Sequence, residues 1–204
     1  MKFFLSALFT ILMMIGCQDT SNITDPIDNP YSDGLNKKPS HEEYELISLP
    51  TKAAEWQGAT FSVSKQINGN TGGQVQMFDY YVTSSGLPFY IFISLNIPKN
   101  AFTGTQTITM TLDDEYAYIH FYPEMDFNKD LILNQYFQGI DLIQFGGNYL
   151  QEMDFVYIDD DGKLEVIEKN SVTLNNIIGL VKIEGARIPH FSRFGWIRLQ
   201  GSGI

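Results

Sequence analysis

The chain has 204 residues, 44% of them hydrophobic, 14% aromatic and 18% charged, which is enough apolar material for a packed core and excludes wholesale disorder. Lys and Arg total 13 against 24 Asp and Glu, a net charge of −11, so the clustered positive charge that a nucleic acid or other polyphosphate requires is missing. A single cysteine excludes an intrachain disulfide and a cysteine-rich zinc site.

Residues 1–16 read as a signal peptide. Lys2 supplies a positive start and Phe3 to Ile15 form an apolar run. As a helix that run spans about 20 Å, short of a bilayer core of about 30 Å. It ends Leu12-Met13-Met14-Ile15-Gly16-Cys17, with a small residue directly before the only cysteine. This resembles the lipobox of bacterial lipoproteins, with Met14 where leucine is usual. The resemblance implies that the Cys17 thiol is alkylated with a diacylglycerol and that the chain is cut before it. The thiolate is the one side chain here suited to that thioether. The expected partner is then a membrane, reached through acyl chains that contribute about 0.8 kcal/mol per buried CH2. Gln18, in place of the aspartate that enterobacteria use for inner-membrane retention, points to the outer membrane.

Residues 17–45 are rich in Asp, Asn, Ser, Thr, Pro and Lys, as in Asp25-Pro26-Ile27-Asp28-Asn29-Pro30. Apolar residues are too sparse there to offset ordering entropy, so a disordered tether is expected. Its typical reach is about 30 Å.

From residue 46 to 204 the hydrophobic period is two. Leu87, Phe89, Ile91, Ile93, Leu95 and Ile97 alternate along one long strand, and Ile108, Met110 and Leu112 alternate with Thr107, Thr109 and Thr111. Further strands are expected at Ala59–Ile67, Val75–Val82, Tyr116–Phe121, Leu131–Phe137, Phe155–Ile158, Leu164–Ile167 and Ile177–Ile183. Turn signals separate them at Asn68-Gly69-Asn70, Ser84-Ser85-Gly86, Gly146-Gly147-Asn148 and Asp160-Asp161-Gly162. Many short strands with regular turns and no sustained helical period predict an all-β, antiparallel, Greek-key-like β-sandwich in one domain.

Several stretches, in order, resemble the ZU5 domain, a β-sandwich of ankyrins, netrin receptors and bacterial envelope proteins. Gly72-Gly73-Gln74-Val75 is similar to its opening Gly-Gly-x-Val. Leu95-Asn96-Ile97-Pro98-Lys99-Asn100-Ala101-Phe102 is similar to its Val-Pro-x-Gly-Ala-Leu turn, with Asn100 for glycine, and Thr105 to Leu112 fits the strand after it. Asparagine enters the left-handed region more readily than other non-glycine residues, so Pro98 and Asn100 are expected to form a turn of that kind. Phe121 to Phe127 matches the family's Phe-x-Pro-x-Gly segment loosely, without its glycine, and Pro189-His190-Phe191-Ser192-Arg193-Phe194 resembles the closing His-Phe-Ser-x-aromatic motif. In some ZU5 proteins the chain cuts itself between Phe and Ser at this motif. Carried over by position, Ser192 is the nucleophile, His190 the base and Phe191 the donor of the attacked carbonyl. The competing reading makes these three residues a corner leading into the last strand.

Other chemistry is thinly signalled. Asp159-Asp160-Asp161-Gly162 invites calcium, but the spacing of an EF-hand loop is absent and the flanking strands favour a hairpin turn. Asp113-Asp114-Glu115 likewise reads as a solvated turn. His41, in the tether, and His120, in a strand, form no ligand motif. No Gly-x-Ser-x-Gly elbow, phosphate loop or His-Glu-x-x-His site occurs, and no cofactor or metal is expected. Tyr80-Tyr81 and Tyr116–Tyr118 either form a sugar-stacking surface or alternate between core and sheet surface. The expected function is a lipid-anchored envelope protein whose sandwich is a non-enzymatic interaction module for a protein or glycan partner. The alternative is a self-processing domain cut between Phe191 and Ser192.

Overall fold

Alternating burial governs the architecture. In a strand successive side chains point to opposite faces, so a period-two pattern needs a second layer to cover its apolar side. The computed structural model describes residues 44–145, 152–159 and 161–199. The expected signal peptide, Cys17, most of the tether, Asp160 and the Gly146-Gly147-Asn148 turn lie outside the described residues.

The described strands are β1 (Tyr44–Leu46), β2 (Ser62–Asn68), β3 (Gly73–Val82), β4 (Pro88–Ile97), β5 (Thr105–Leu112), β6 (Tyr118–Tyr122), β7 (Asp126–Gln138), β8 (Met153–Ile158), β9 (Leu164–Val166), β10 (Ser171–Asn175), β11 (Leu180–His190) and β12 (Arg193–Leu199). A seven-stranded sheet runs β2-β5-β6-β12-β8-β9, with β1 also on β12, and a five-stranded sheet runs β10-β11-β7-β4-β3. Every pairing between these strands is antiparallel, and the chain crosses repeatedly between the sheets. This is the expected β-sandwich. Among the described residues the longest helical elements are single 3-10 turns at Ala54–Trp56 and Ile143–Phe145.

The core lies between the sheets. Phe89, Ile91, Ile93, Leu95 and Ile97 of β4 point inward and meet Tyr81, Phe137, Phe155, Phe121 and Trp196, all buried. A polar contact crosses this core: the Trp196 indole N–H donates to Gln135 Oε1 at 2.7 Å, joining β12 of one sheet to β7 of the other.

Several boundaries differ from the sequence reading, each for a local reason. Residues 177–183 are not one strand. Ile177 is 88% exposed at the tip of a β10–β11 hairpin, where the Asn175 side chain accepts the Ile177 N–H (2.9 Å) and Gly179 takes a φ of +61°. Two local turn devices thus override an apolar Ile-Ile pair. Leu87 precedes β4 and is exposed, its N–H bonded to Thr83 Oγ1 at 3.2 Å. Strand β7 begins at Asp126 rather than Leu131, and Tyr116 forms an isolated bridge with Ser48 before β6 starts. Tyr44 and Glu45, inside the stretch read as tether, pair with Leu199 and Arg198.

The turn at Pro98–Ala101 has the expected geometry. Asn100 sits at φ 65°, the Ala101 N–H bonds the Pro98 carbonyl at 3.2 Å, and the Asn100 N–H bonds the Gly69 carbonyl at 2.8 Å. A Cβ on Gly72 would lie 2.4 Å from the Ile97 carbonyl oxygen, so the Gly72-Gly73 segment and the Pro98 turn fit together only without a side chain there. Replacing Asn100 with glycine is expected to leave urea unfolding within about 0.5 kcal/mol of wild type, whereas Asn100→Val lowers stability by about 1–2 kcal/mol. Equal midpoints for the two variants would contradict the turn.

Candidate functional site

The His-Phe-Ser segment forms the corner between β11 and β12. His190 ends β11 and packs its ring edge-on against Tyr157 at 4.6 Å and near Phe194 at 5.8 Å. Phe191 turns into the core, stacked on Phe121 at 5.2 Å and edge-on to Phe127 at 4.7 Å, while its N–H bonds the Met125 carbonyl at 2.8 Å. The Ser192 carbonyl accepts the Phe121 N–H at 2.9 Å. No hydrogen bond joins the His190 imidazole to the Ser192 hydroxyl, and neither side chain bonds another described residue. Asn100 is the one non-glycine with positive φ among the described residues, so residues 190–192 lack that form of backbone strain. The motif's two side chains are therefore neighbours in the chain that no hydrogen bond joins.

Both acidic runs cap turns. Asp159 Oδ1 accepts the Lys163 N–H at 2.7 Å, and Gly162, at φ 74°, bonds back to the Asp159 carbonyl at 3.0 Å, closing the β8–β9 hairpin. Asp113 Oδ1 accepts the N–H groups of Glu115 and Tyr116, each at 2.8 Å, and Asp114 bonds Lys52 Nζ at 3.0 Å. Among the described residues no group of three or more His, Cys, Asp or Glu is placed to hold a metal ion.

The tyrosine pairs divide as alternation requires. Tyr81 is buried and donates to the Pro50 carbonyl at 2.6 Å, and burial pushes its hydroxyl pKa well above the ordinary tyrosine range. Tyr80 points outward. On the seven-stranded sheet Tyr116, Tyr118, His120 and Tyr122 form a ladder along β6, with the Arg193 guanidinium 5.8 Å from the Tyr118 ring centre and Asp113 3.8 Å from His120 Nε2. Burial lowers the His120 pKa, opposed by the Asp113 charge. Charged neighbours thus engage the middle of this ladder, while Tyr122 at its end is exposed.

The outer face of the five-stranded sheet is different. Phe78, Phe92 and Tyr136 lie directly opposite one another across β3, β4 and β7, and the next row holds Tyr80, Tyr90 and Gln138. Phe78 is 76% exposed, Tyr80 47% and Tyr90 38%. Trp56 extends the set, 5.6 Å from Tyr80, which is 6.3 Å from Tyr90. Amides and hydroxyls border the rings: Gln76, Ser94 and Asn134 share a row, the Gln74 side chain donates to Ser94 Oγ at 2.8 Å, and the Tyr136 hydroxyl donates to Gln138. At one end this face runs into a cleft of about 690 Å3 between the Ser48–Thr51 segment, the β3–β4 turn and the residues following Gln138. Tyr90 and Gln138 line both the face and the cleft.

The chain matches no family model, no curated protein and no solved structure.

The aromatic face was only half visible in the sequence. Reading Phe89, Ile91, Ile93, Leu95 and Ile97 as the buried set already assigns Tyr90 and Phe92 to the other side of β4, and the same parity applied to β3 exposes Phe78. That β3, β4 and β7 place three rings in one row depends on register, which the sequence does not carry.

For the corner, a structural role gives a clear expectation. Ser192→Ala is expected to alter stability by no more than about 0.5 kcal/mol, and Phe191→Ala to lower it by about 3–5 kcal/mol. Intact-mass spectrometry under denaturing conditions, with and without hydroxylamine, is expected to find no fragment beginning at Ser192. Its appearance in wild type and disappearance in Ser192→Ala would establish self-cleavage instead.

Proposed function

We propose that the chain is a lipid-anchored envelope protein whose ZU5-like sandwich is a non-enzymatic interaction module, and that it binds through the outer face of the five-stranded sheet. The observation that carries this reading is the row Phe78, Phe92, Tyr136 on a regular sheet, with Phe78 and the adjoining Tyr80 and Tyr90 exposed and Phe92 and Tyr136 half-buried between them. Contiguous exposed aromatic surface disfavours solubility unless something covers it, and aromatic residues are the usual anchors of binding surfaces. The anchor rests on Lys2, the apolar run to Ile15 and Gly16-Cys17. The ZU5 likeness is supported by the order of its motifs and by Asn100 at the left-handed position that glycine holds in the family. An outer-membrane address follows from the cysteine and Gln18. Catalysis is disfavoured by the lack of a hydrogen bond between His190 and Ser192 and by the turn roles of the acidic runs.

Two measurements check this. Cys17→Ser is expected to abolish metabolic labelling by a fatty-acid analogue, since a hydroxyl is a far poorer nucleophile than a thiolate; normal labelling would remove the anchor. A photoreactive residue at position 78 is expected to give adducts with an envelope component, while the same residue at position 64, on the outer face of the other sheet, gives none. Adducts from 64 alone, or from neither, would overturn the assigned face.

A further inference from the structure

We infer that the partner is a neutral glycan, its chain lying along the aromatic face and one end entering the adjoining cleft. The inference rests on the reading of that face as the binding surface and adds the chemistry of its ligand. Three observations carry it: the charge of the site, its unspent polar groups, and the continuity of face and cleft.

Charge comes first. Among the described residues no Lys, Arg or His lines the cleft, and Asp141 is its one carboxylate. On the sheet face Lys182 is paired with Glu184 at 2.9 Å, and Arg187, beside Ile132, with Glu168 at 3.1 Å. A phosphate, a uronic acid or any other anion therefore meets, among the described residues of cleft and face, only cations already paired with carboxylates, within a chain that is itself at −11. A basic peptide finds a single carboxylate, too little to repay desolvation of its cations. The electrostatic complement of this site is an uncharged ligand.

The polar groups then narrow which uncharged ligand. The side chains of Ser48, Ser84, Gln144 and Asn176 line the cleft and make no hydrogen bond to any described residue. A purely apolar partner pressed into this space would bury those groups unsatisfied and lose the hydration of each. A polyol supplies donors and acceptors in the density they need. The cleft volume, about 690 Å3, lies inside the usual range for small-molecule sites.

Continuity supplies the rest. Tyr90 stands on the rim, with Tyr80 and then Trp56 behind it at 6.3 and 5.6 Å. A pyranose has C–H groups on its ring faces and hydroxyls at its edge. Its faces match exposed aromatic rings, and its edges match the amides of Gln76, Asn134 and Gln138 beside them. A linear chain of such rings is the ligand that uses platform and cleft together.

The test is affinity electrophoresis of the purified full chain in native gels containing β-glucan, xylan, galactomannan, dextran or polygalacturonate. At least one neutral polysaccharide is expected to retard the protein, and polygalacturonate is not. Tyr90→Ala and Asn176→Ala are each expected to weaken retardation at least about fivefold, with thermal unfolding unchanged from wild type. Phe78→Ser, farther along the platform, provides a second platform variant should Tyr90→Ala lose its fold. No retardation by any neutral polysaccharide, retardation by polygalacturonate alone, or retardation indifferent to these substitutions would overturn the inference. The photoreactive residue at position 78 separates the two levels of failure. Adducts to an envelope protein without glycan retardation would refute the glycan and keep the face, whereas glycan retardation without adducts from 78 and indifferent to Tyr90→Ala would refute both.

Discussion

The hydrogen bond from Trp196 to Gln135 is the constraint from which the rest of the molecule can be derived. It spans the core between the sheets, and both side chains are buried. Shifting β7 by one residue would turn Gln135 outward, leave the indole N–H unpaired, and take Leu131, Leu133 and Phe137 out of the core with it. Either loss alone costs a large share of the stability available to a domain of this size. The register of β7 is thus held from inside, and with it the outward set of Asn134, Tyr136 and Gln138. Because β4 pairs with β7 and β3 with β4, the same internal constraint aligns Phe92 and Phe78 with Tyr136. The aromatic row on the surface is a consequence of packing beneath it.

The two outer faces were treated differently by the chain. Val156, Ile158, Leu164 and Ile197 form a second apolar cluster outside the seven-stranded sheet, and Tyr44, Leu46 and Leu199 pack against it. Short β1 thereby closes that side, aided by the Tyr44 hydroxyl bonded to the Gly162 carbonyl at 2.9 Å. Next to the cluster, Arg193 and Asp113 engage the Tyr118–His120 ladder. Among the described residues no comparable cover lies over Phe78, Tyr80 and Tyr90. One face is thus partly covered by its own chain, while the other keeps its aromatic rows uncovered beside the ion pairs Lys182–Glu184 and Arg187–Glu168.

Much of the fold was legible because period-two alternation is a local signal with one physical cause. The alternation of Thr107, Thr109 and Thr111 with Ile108, Met110 and Leu112 falls inside strand β5, which runs Thr105–Leu112. Asn100 was legible as a left-handed turn residue for an equally local reason. What escaped was non-local. Residues 171–175 are short and largely polar, and form β10 because β11 lies beside them. Ile177 and Ile178 look like strand, and leave it because Gly179 packs its backbone against Ile140, where a Cβ would come within 2.3 Å of the carbonyl oxygen. The His-Phe-Ser motif read as chemistry because its residue types suit an acyl shift, whereas their orientation follows from the aromatic packing of Phe191 and His190. The cleft is assembled from segments near residues 50, 85, 140 and 178, which no linear pattern links.

The central claim is that the working surface is the outer face of the five-stranded sheet with its adjoining cleft. Amide chemical-shift mapping of the isotope-labelled chain, titrated with a short neutral oligosaccharide cut from whichever polysaccharide retards it, tests this most directly. The account predicts perturbations concentrated at residues 76–80, 90–94, 134–141 and 176–179. Shifts confined instead to β6 and the start of β12, around Tyr118, His120 and Arg193, would contradict it.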